Sequence, residues 1–235
     1  MYIMDENWLF DEVAHAGAEH LDPNQVANYD EKIPFDPSEE IELLKKHGLS
    51  IDDTIVDFGT GTGTFPIAVA DHCGRVVGID IAGTMLDVAH EKVKANEVQN
   101  VELVNDGWLT YDHAGAPAPF VFSKNTLHHL PDFWKIEALK TVGDILDEGG
   151  IFRLRDLVYS FDPADSQGAI ATWLDGMEST QFTEGELHRH FREEFSTYGF
   201  VLESMLEQTG FEILNATYRD GFYASYTCRW TTKSN

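Results

Sequence analysis

The chain has 235 residues, 43% of them hydrophobic, and sets 41 Asp and Glu against 16 Lys and Arg for a net charge of −25. This is enough for one domain over 1–235 with a full core, while so negative a field without any basic run opposes a phosphate backbone and excludes nucleic acid. No run of about 18 apolar residues offers a membrane span, Met1–Phe10 lacks the basic-then-apolar order of a secretory signal, and two cysteines without metal spacing suit a reducing cytoplasm.

Residues 1–35 precede the first clear core element. Trp8, Leu9 and Phe10 form an apolar knot, Val13 follows, and a His-rich acidic segment runs to Tyr29 and Asp30. Asp36–Glu40 then opens a helix: a cap acid, a proline at the first position and acids in the first turn, with a stop at Gly48. The β-branched apolar run up to Phe58 predicts a buried strand. It feeds Gly59, Thr60, Gly61, Thr62 and Gly63, where the missing Cβ atoms let a ligand approach the backbone, and a helix over 65–70 follows. Asp57 sets a carboxylate at this turn, which would repel a diphosphate and attract a cation. A second strand, Val76–Ile79, ends in Asp80, placed to accept hydrogen bonds from a ribose.

Gly83–Asn96 reads as a helix with Met85 facing inward. A third strand over 101–104 runs into Asp106, Gly107 and Trp108, where Asp-Gly marks a turn. The fourth, 120–123, leads through Asn125 to His128 and His129. Neutral imidazole can take a proton near pH 7, so either is a candidate base. Adjacent residues rarely face one site, so at most one is expected to act. A helix over 132–147, a turn at Glu148–Gly150 and a strand over 151–158 come next. On that strand Arg153 and Arg155 share one face, with Asp156 on the other. Arginines so central need partners, either acids of this chain or an anionic group on a substrate, and Asp156 is placed to line a pocket. In 160–192, Ile170, Trp173, Leu174 and Met177 form a helical stripe that is either ordinary core or the wall of an acceptor pocket. Thr183–Glu186 is a capping box. His188 and His190, two apart on a helix, face different sides, and no metal site is expected. A helix over 195–209 stops at Gly210, and two strands, 211–218 and 222–230, are joined by the hairpin signal Asp220-Gly221.

The pattern Asp57-x-Gly59-x-Gly61-x-Gly63, the acid Asp80 after the next strand, and Leu127-His128-His129-Leu130-Pro131 together resemble the class I S-adenosylmethionine-dependent methyltransferases. The likeness is to small-molecule enzymes of the quinone C-methyltransferase-like group; it is strong over 53–158 and supportive over 195–230. It implies an α/β fold: a three-layer αβα Rossmann-like sandwich on a mostly parallel seven-stranded sheet, the last strand antiparallel. Residues 1–35 would then form a lid that includes Tyr29, and 160–192 a substrate-pocket insertion. The cofactor would be S-adenosyl-L-methionine, left as S-adenosyl-L-homocysteine, and its sulfonium and ammonium suit the acids. The glycine turn with Asp57, Thr60, Gly61 and Gly63 would hold it, Asp80 its ribose, Ile81 and Met85 its adenine ring, and Asp106 the adenine amino group, with Gly107, Trp108 and Asn125 close by.

The reaction implied is in-line attack of a small-molecule acceptor on the sulfonium methyl, with His128 or His129 as base and Arg155, Asp156, Trp173 and Met177 around the acceptor. The motifs of DNA amino- and cytosine-methylating enzymes are missing. Two other readings stay open: a nicotinamide-dependent oxidoreductase, which would bind phosphate beside Asp57, and a catalytically silent nucleoside-binding protein on the same fold. A homo-oligomer also stays open.

Overall fold

The computed structural model of the chain describes residues 8–177 and 182–231. The N-terminal reading over residues 1–7 and the part of the insertion at 178–181 lie outside the described residues. The apolar runs form strands β1 Thr54–Phe58, β2 Arg75–Asp80, β3 Val101–Asn105, β4 Ala118–Lys124 and β5 Leu146–Tyr159, then β6 Thr197–Tyr198, β7 Phe211–Arg219 and β8 Tyr223–Trp230. Their order is β3-β2-β1-β4-β5-β8-β7, with β6 beside β5. β1 to β5 pair in parallel, and β8 runs antiparallel to both β5 and β7. This is the expected Rossmann-like sheet of seven strands, with the two-residue β6 in addition.

Ten α-helices are described: the short turns α1 Ala18–Leu21, α2 Pro23–Val26 and α3 Tyr29–Lys32, then α4 Ser38–Lys46, α5 Thr64–Val69, α6 Gly83–Ala95, α7 Asp132–Ile145, α8 Ser166–Met177, α9 Glu184–Glu193 and α10 Gly199–Thr209. Successive strand residues point to opposite faces, and both faces are covered. Ile55, Val76 and Phe122 pack on Leu44 of α4 and Phe65 of α5. Val56, Val77 and Phe152 pack on Leu139 of α7 and Leu206 of α10. Coverage on both sides is why these strands read as continuous apolar runs. It leaves the C-terminal strand ends as the place where polar side chains can converge.

Two boundaries differ from expectation. α7 gives way to β5 at Leu146, so the predicted turn at 148–150 falls within the strand span, beside a register shift between Ala118 and Phe120 on β4. α10 begins at Gly199 rather than at 195 because the preceding backbone is engaged elsewhere. Phe195 N–H donates to the His128 carbonyl at 2.8 Å, the Lys135 ammonium donates to the Phe195 carbonyl, and Thr197–Tyr198 pair with β5. The hairpin forms as read: Asp220 and Gly221 both have positive φ, 56° and 76°, the backbone of a type I′ turn.

Candidate active site

A cleft of about 690 Å³, mouth included, lies outside the C-terminal ends of β1, β2 and β4. Gly59 and Gly61 line it together with Asp80, Ile81 and Met85 from the end of β2 onward, Asp106, Gly107 and Trp108 after β3, Asn125 and His129 after β4, and Tyr29 from the N-terminal segment. Gly59 has φ +71°, and a Cβ there would overlap the Thr126 side chain, so only glycine lets the turn pass under the cleft. Asp80 accepts from Gly61 N–H at 2.7 Å and Ala82 N–H at 2.9 Å. Burial raises its pKa, against the pull of those two N–H groups. Asp106 caps its own turn, accepting from Gly107 N–H at 2.8 Å. Trp108 stacks on Phe58 with centroids 4.2 Å apart, so it is both core and cleft wall.

Three expected cofactor residues lie below the cleft surface. Asp57 is 2% exposed and accepts from the Thr60 hydroxyl at 2.7 Å; burial pushes its carboxyl up to about 7. It braces the turn, and the open acids of the cleft are Asp80, Asp106 and Glu12. Thr60 is spent on Asp57. Gly63, at φ +78°, precedes α5 and faces Ala89 of α6. Among the described lining residues the only Lys or Arg is Lys124. An acid-lined cleft with no cation on its glycine turn fits S-adenosylmethionine and not a diphosphate.

The segment over the cleft is tied down at several points. Glu12 accepts from Trp108 N–H at 2.8 Å and Leu109 N–H at 3.1 Å, and burial raises its pKa. Asp30 accepts from the Thr62 hydroxyl at 2.6 Å and pairs with Lys92 at 2.8 Å. Tyr29 and His20 meet at 5.6 Å, and the His20 ring meets His129 at 5.6 Å.

A wider chamber, about 3060 Å³ with the open solvent at its mouth included, lies beside the cleft, and His20, Tyr29, Lys124, Asn125 and His129 border both. Arg155, Asp156, Trp173 and Met177 all line it, as does His128. The two adjacent histidines therefore share one cavity, contrary to the expectation for neighbours. They sit in a 3₁₀ turn, Leu127–His129, rather than in a strand, and their rings are 4.3 Å apart. His128 Nδ1 donates to Asp156 Oδ1 at 2.5 Å, and its Nε2 faces Glu194 Oε2 at 3.4 Å. Burial opposes charge on His128, but Asp156 and Glu194 outweigh it and raise the pKa. Burial, then His128 and His20, hold His129 well below the usual range, so its ring is neutral.

The arginine question divides. Arg153 is buried and satisfied by Glu40 at 2.6 Å and Thr227 at 3.2 Å. Arg155 borders the chamber and shares that one carboxylate, at 2.9 Å. Lys124, its register partner on β4, has no hydrogen bond or ion pair among the described residues and lies 4.7 Å over the Phe35 ring. Burial, then Arg155, pull it down to about 8. The chamber wall holds five of the chain's 16 Lys and Arg but only six of its 41 acids.

Sequence reasoning missed Glu12, His20, Lys124, Glu194 and His190. Lys124 alone carried a signal, as the residue ending a parallel strand; the others reach the site from distant segments.

A family model described as a methyltransferase domain matches residues 55–150. The chain is 25% identical over 229 residues to a carboxy-S-adenosyl-L-methionine synthase of Nautilia profundicola, covering 95% of this chain and 94% of that protein. It is 23% identical to a demethylmenaquinone methyltransferase of Listeria welshimeri, over 78% of this chain and 75% of that one. Its fold is shared with magnesium protoporphyrin IX methyltransferase of Synechocystis PCC 6803, solved with bound S-adenosylmethionine. The TM-score is 0.64 at 13% identity, over 96% of this chain and 100% of that chain.

Proposed function

The chain belongs to the class I S-adenosylmethionine-dependent methyltransferases, and from that premise we propose which groups serve the cofactor, which serve the acceptor, and what the acceptor is. The reaction is methyl transfer to a small molecule, and the cofactor supplies an activated methyl on its sulfonium. Asp80 serves the ribose, and Asp106, Ile81, Met85 and Trp108 the adenine. Gly59 and Gly61 give backbone access, with Asp57, Thr60 and Gly63 holding their geometry, and Asn125 and Gly107 complete the cleft. Residues 1–35 act as the lid, through Tyr29, and 160–192 as the pocket insertion of a single domain. Alignment of this kind supplies as much as ~7–11 kcal/mol of a barrier. His129, neutral and bordering both cavities, is the base; His128, held by Asp156, positions it. A base in place contributes about 10²–10⁴-fold.

The acceptor we propose is a small anion. The single observation that carries this is Lys124: a half-buried cation that rests on the Phe35 ring with no hydrogen bond or ion pair among the described residues, beside an arginine that shares its carboxylate. An anionic group would complete it, and Trp173 and Met177 would cover the apolar remainder. The test is transfer of a labelled methyl from S-adenosylmethionine into a metabolite extract, with the product passed over an anion exchanger. A retained product supports the reading; a labelled product that flows through overturns it.

No helix among the described residues is long and apolar enough to cross a membrane. Cys73 and Cys228 are both buried and free, which supports a reducing, cytoplasmic setting. The charge balance supports a partner list without nucleic acid.

A further inference from the structure

Four of the chain's ten histidines form a continuous series across the wall between the two cavities. His20 meets His129 at 5.6 Å, His129 meets His128 at 4.3 Å, and His128 meets His190 at 5.9 Å between ring centroids. Methyl transfer as derived above uses one of these rings as a base and one to position it. It leaves the convergence of the others, and of Glu194, without a purpose.

We propose that His128, His129 and Glu194 form a binding site for a divalent transition-metal ion of the zinc type, set in the wall between cofactor cleft and acceptor chamber. One ligand atom from each lies within 4.8 Å of the other two. Metal–nitrogen and metal–oxygen bonds of about 2.0–2.2 Å at tetrahedral angles put neighbouring ligand atoms roughly 3.3–3.6 Å apart. His128 Nε2 and Glu194 Oε2 are already 3.4 Å apart.

Two independent features point to an ion rather than to a plain hydrogen-bonded cluster. His128 gives its Nδ1 hydrogen to Asp156, which also accepts the His128 backbone N–H at 3.0 Å. That arrangement fixes the ring and aims Nε2 at Glu194, as carboxylates do for metal-bound histidines. On His129, Nδ1 is buried and has no hydrogen-bond partner, where buried polar atoms are ordinarily paired. His190 Nδ1 donates to the same Glu194 oxygen and so orients that carboxylate. Lys135, whose charge acts on His128, is occupied by Asp132 at 2.8 Å and by the Phe195 carbonyl.

Three protein ligands leave a fourth position open, the pattern of a reactive rather than a structural site. His129 borders both cavities, so that position faces the region they share. An oxygen, nitrogen or sulfur of an acceptor is the donor it would take, a consequence that rests on the methyl-transfer reading. Ion binding itself does not. Once bound, the ion would take over from His129 the lowering of the acceptor's pKa, because a ligating imidazole no longer accepts a proton.

The test uses the full chain stripped with a chelator and titrated with Zn²⁺ by calorimetry and with Co²⁺ by visible absorption. One equivalent is expected, with the intense Co²⁺ bands of a four-coordinate site. His129→Ala and Glu194→Gln should each weaken it about 100-fold or more, and Asp156→Asn about 10–100-fold. His188→Ala, on the outer side of α9, should leave it unchanged. S-adenosylhomocysteine binding by Glu194→Gln reports folding separately, and His129→Ala serves if that variant does not fold. Absence of a stoichiometric site, or a titration unchanged in both ligand variants, overturns the proposal. Either result leaves the methyl-transfer reading standing, because cofactor binding is measured apart.

Discussion

The two cavities meet at five residues yet are built in opposite ways. The smaller cleft, proposed for the cofactor, is made mostly from the turns and side chains that follow β1, β2, β3 and β4, with Glu12, His20 and Tyr29 added from the N-terminal segment. The wider chamber, proposed for the acceptor, is made from long side chains brought by α1–α3, α8, α9 and the β7–β8 hairpin, which approach from the outside. A site at strand ends is largely fixed once the sheet forms, whereas a side-chain site depends on several elements packing together. The first can recur among distant relatives; the second carries what is particular to one chain.

Substitutions should separate the two. The largest effect is expected at Gly59: its change to Val drives a side chain into Thr126 and strains a φ of +71°. Such strain is of order 1–3 kcal/mol, and S-adenosylhomocysteine affinity should drop by about 100-fold on calorimetry. Gly61→Ala shares the strain of a positive φ, +54°, but its Cβ would meet no protein atom within 4 Å, so it should lose less; equal losses would break the distinction. Next is Lys124→Met, expected to lower kcat/KM for the acceptor about 10–100-fold, the range of a hydrogen bond to a charged group. Its S-adenosylhomocysteine affinity should hold within about threefold. A loss of cofactor affinity instead would assign Lys124 to the cleft.

A pH effect should follow from Asp57, whose carboxyl rises from 3.8 to about 7 in the fold. Between those values the folded state holds the extra proton. Its contribution to stability therefore falls as pH rises through the window, by as much as about 1.4 kcal/mol per unit. Urea unfolding at pH 5 and pH 8 should show Asp57→Asn gaining on the parent chain at the higher pH; parallel slopes would refute a buried proton there. The smallest effect is expected at Met177→Ala, on the chamber rim. It should cost about 1 kcal/mol or less in stability and show itself chiefly as a higher acceptor KM.

The same contrast explains what could be read from the chain. Asp80, Asp106 and the glycine turn were legible because each directly follows an apolar strand, and a parallel sheet brings such positions to one edge. Asp57 was legible as a member of the turn but not in its charge state, which burial decides. Glu194 lies 66 residues after His128, in a segment whose pattern suggested only a helix start. Its place depends on Phe195 N–H meeting the His128 carbonyl, a contact that no periodicity encodes. Glu12 is similar: its partners are backbone N–H groups almost a hundred residues away.

Glu40 is one carboxylate answering for two guanidinium groups, and the imbalance has a kinetic corollary. A molecule of net charge −25 turns anions away at long range, while the corner of its chamber at Lys124 and Arg155 would attract one. Dissolved ions screen the outer repulsion over roughly 8–10 Å and reach the enclosed attraction much less. For an anionic acceptor, rising ionic strength should therefore speed arrival, the reverse of ordinary electrostatic steering.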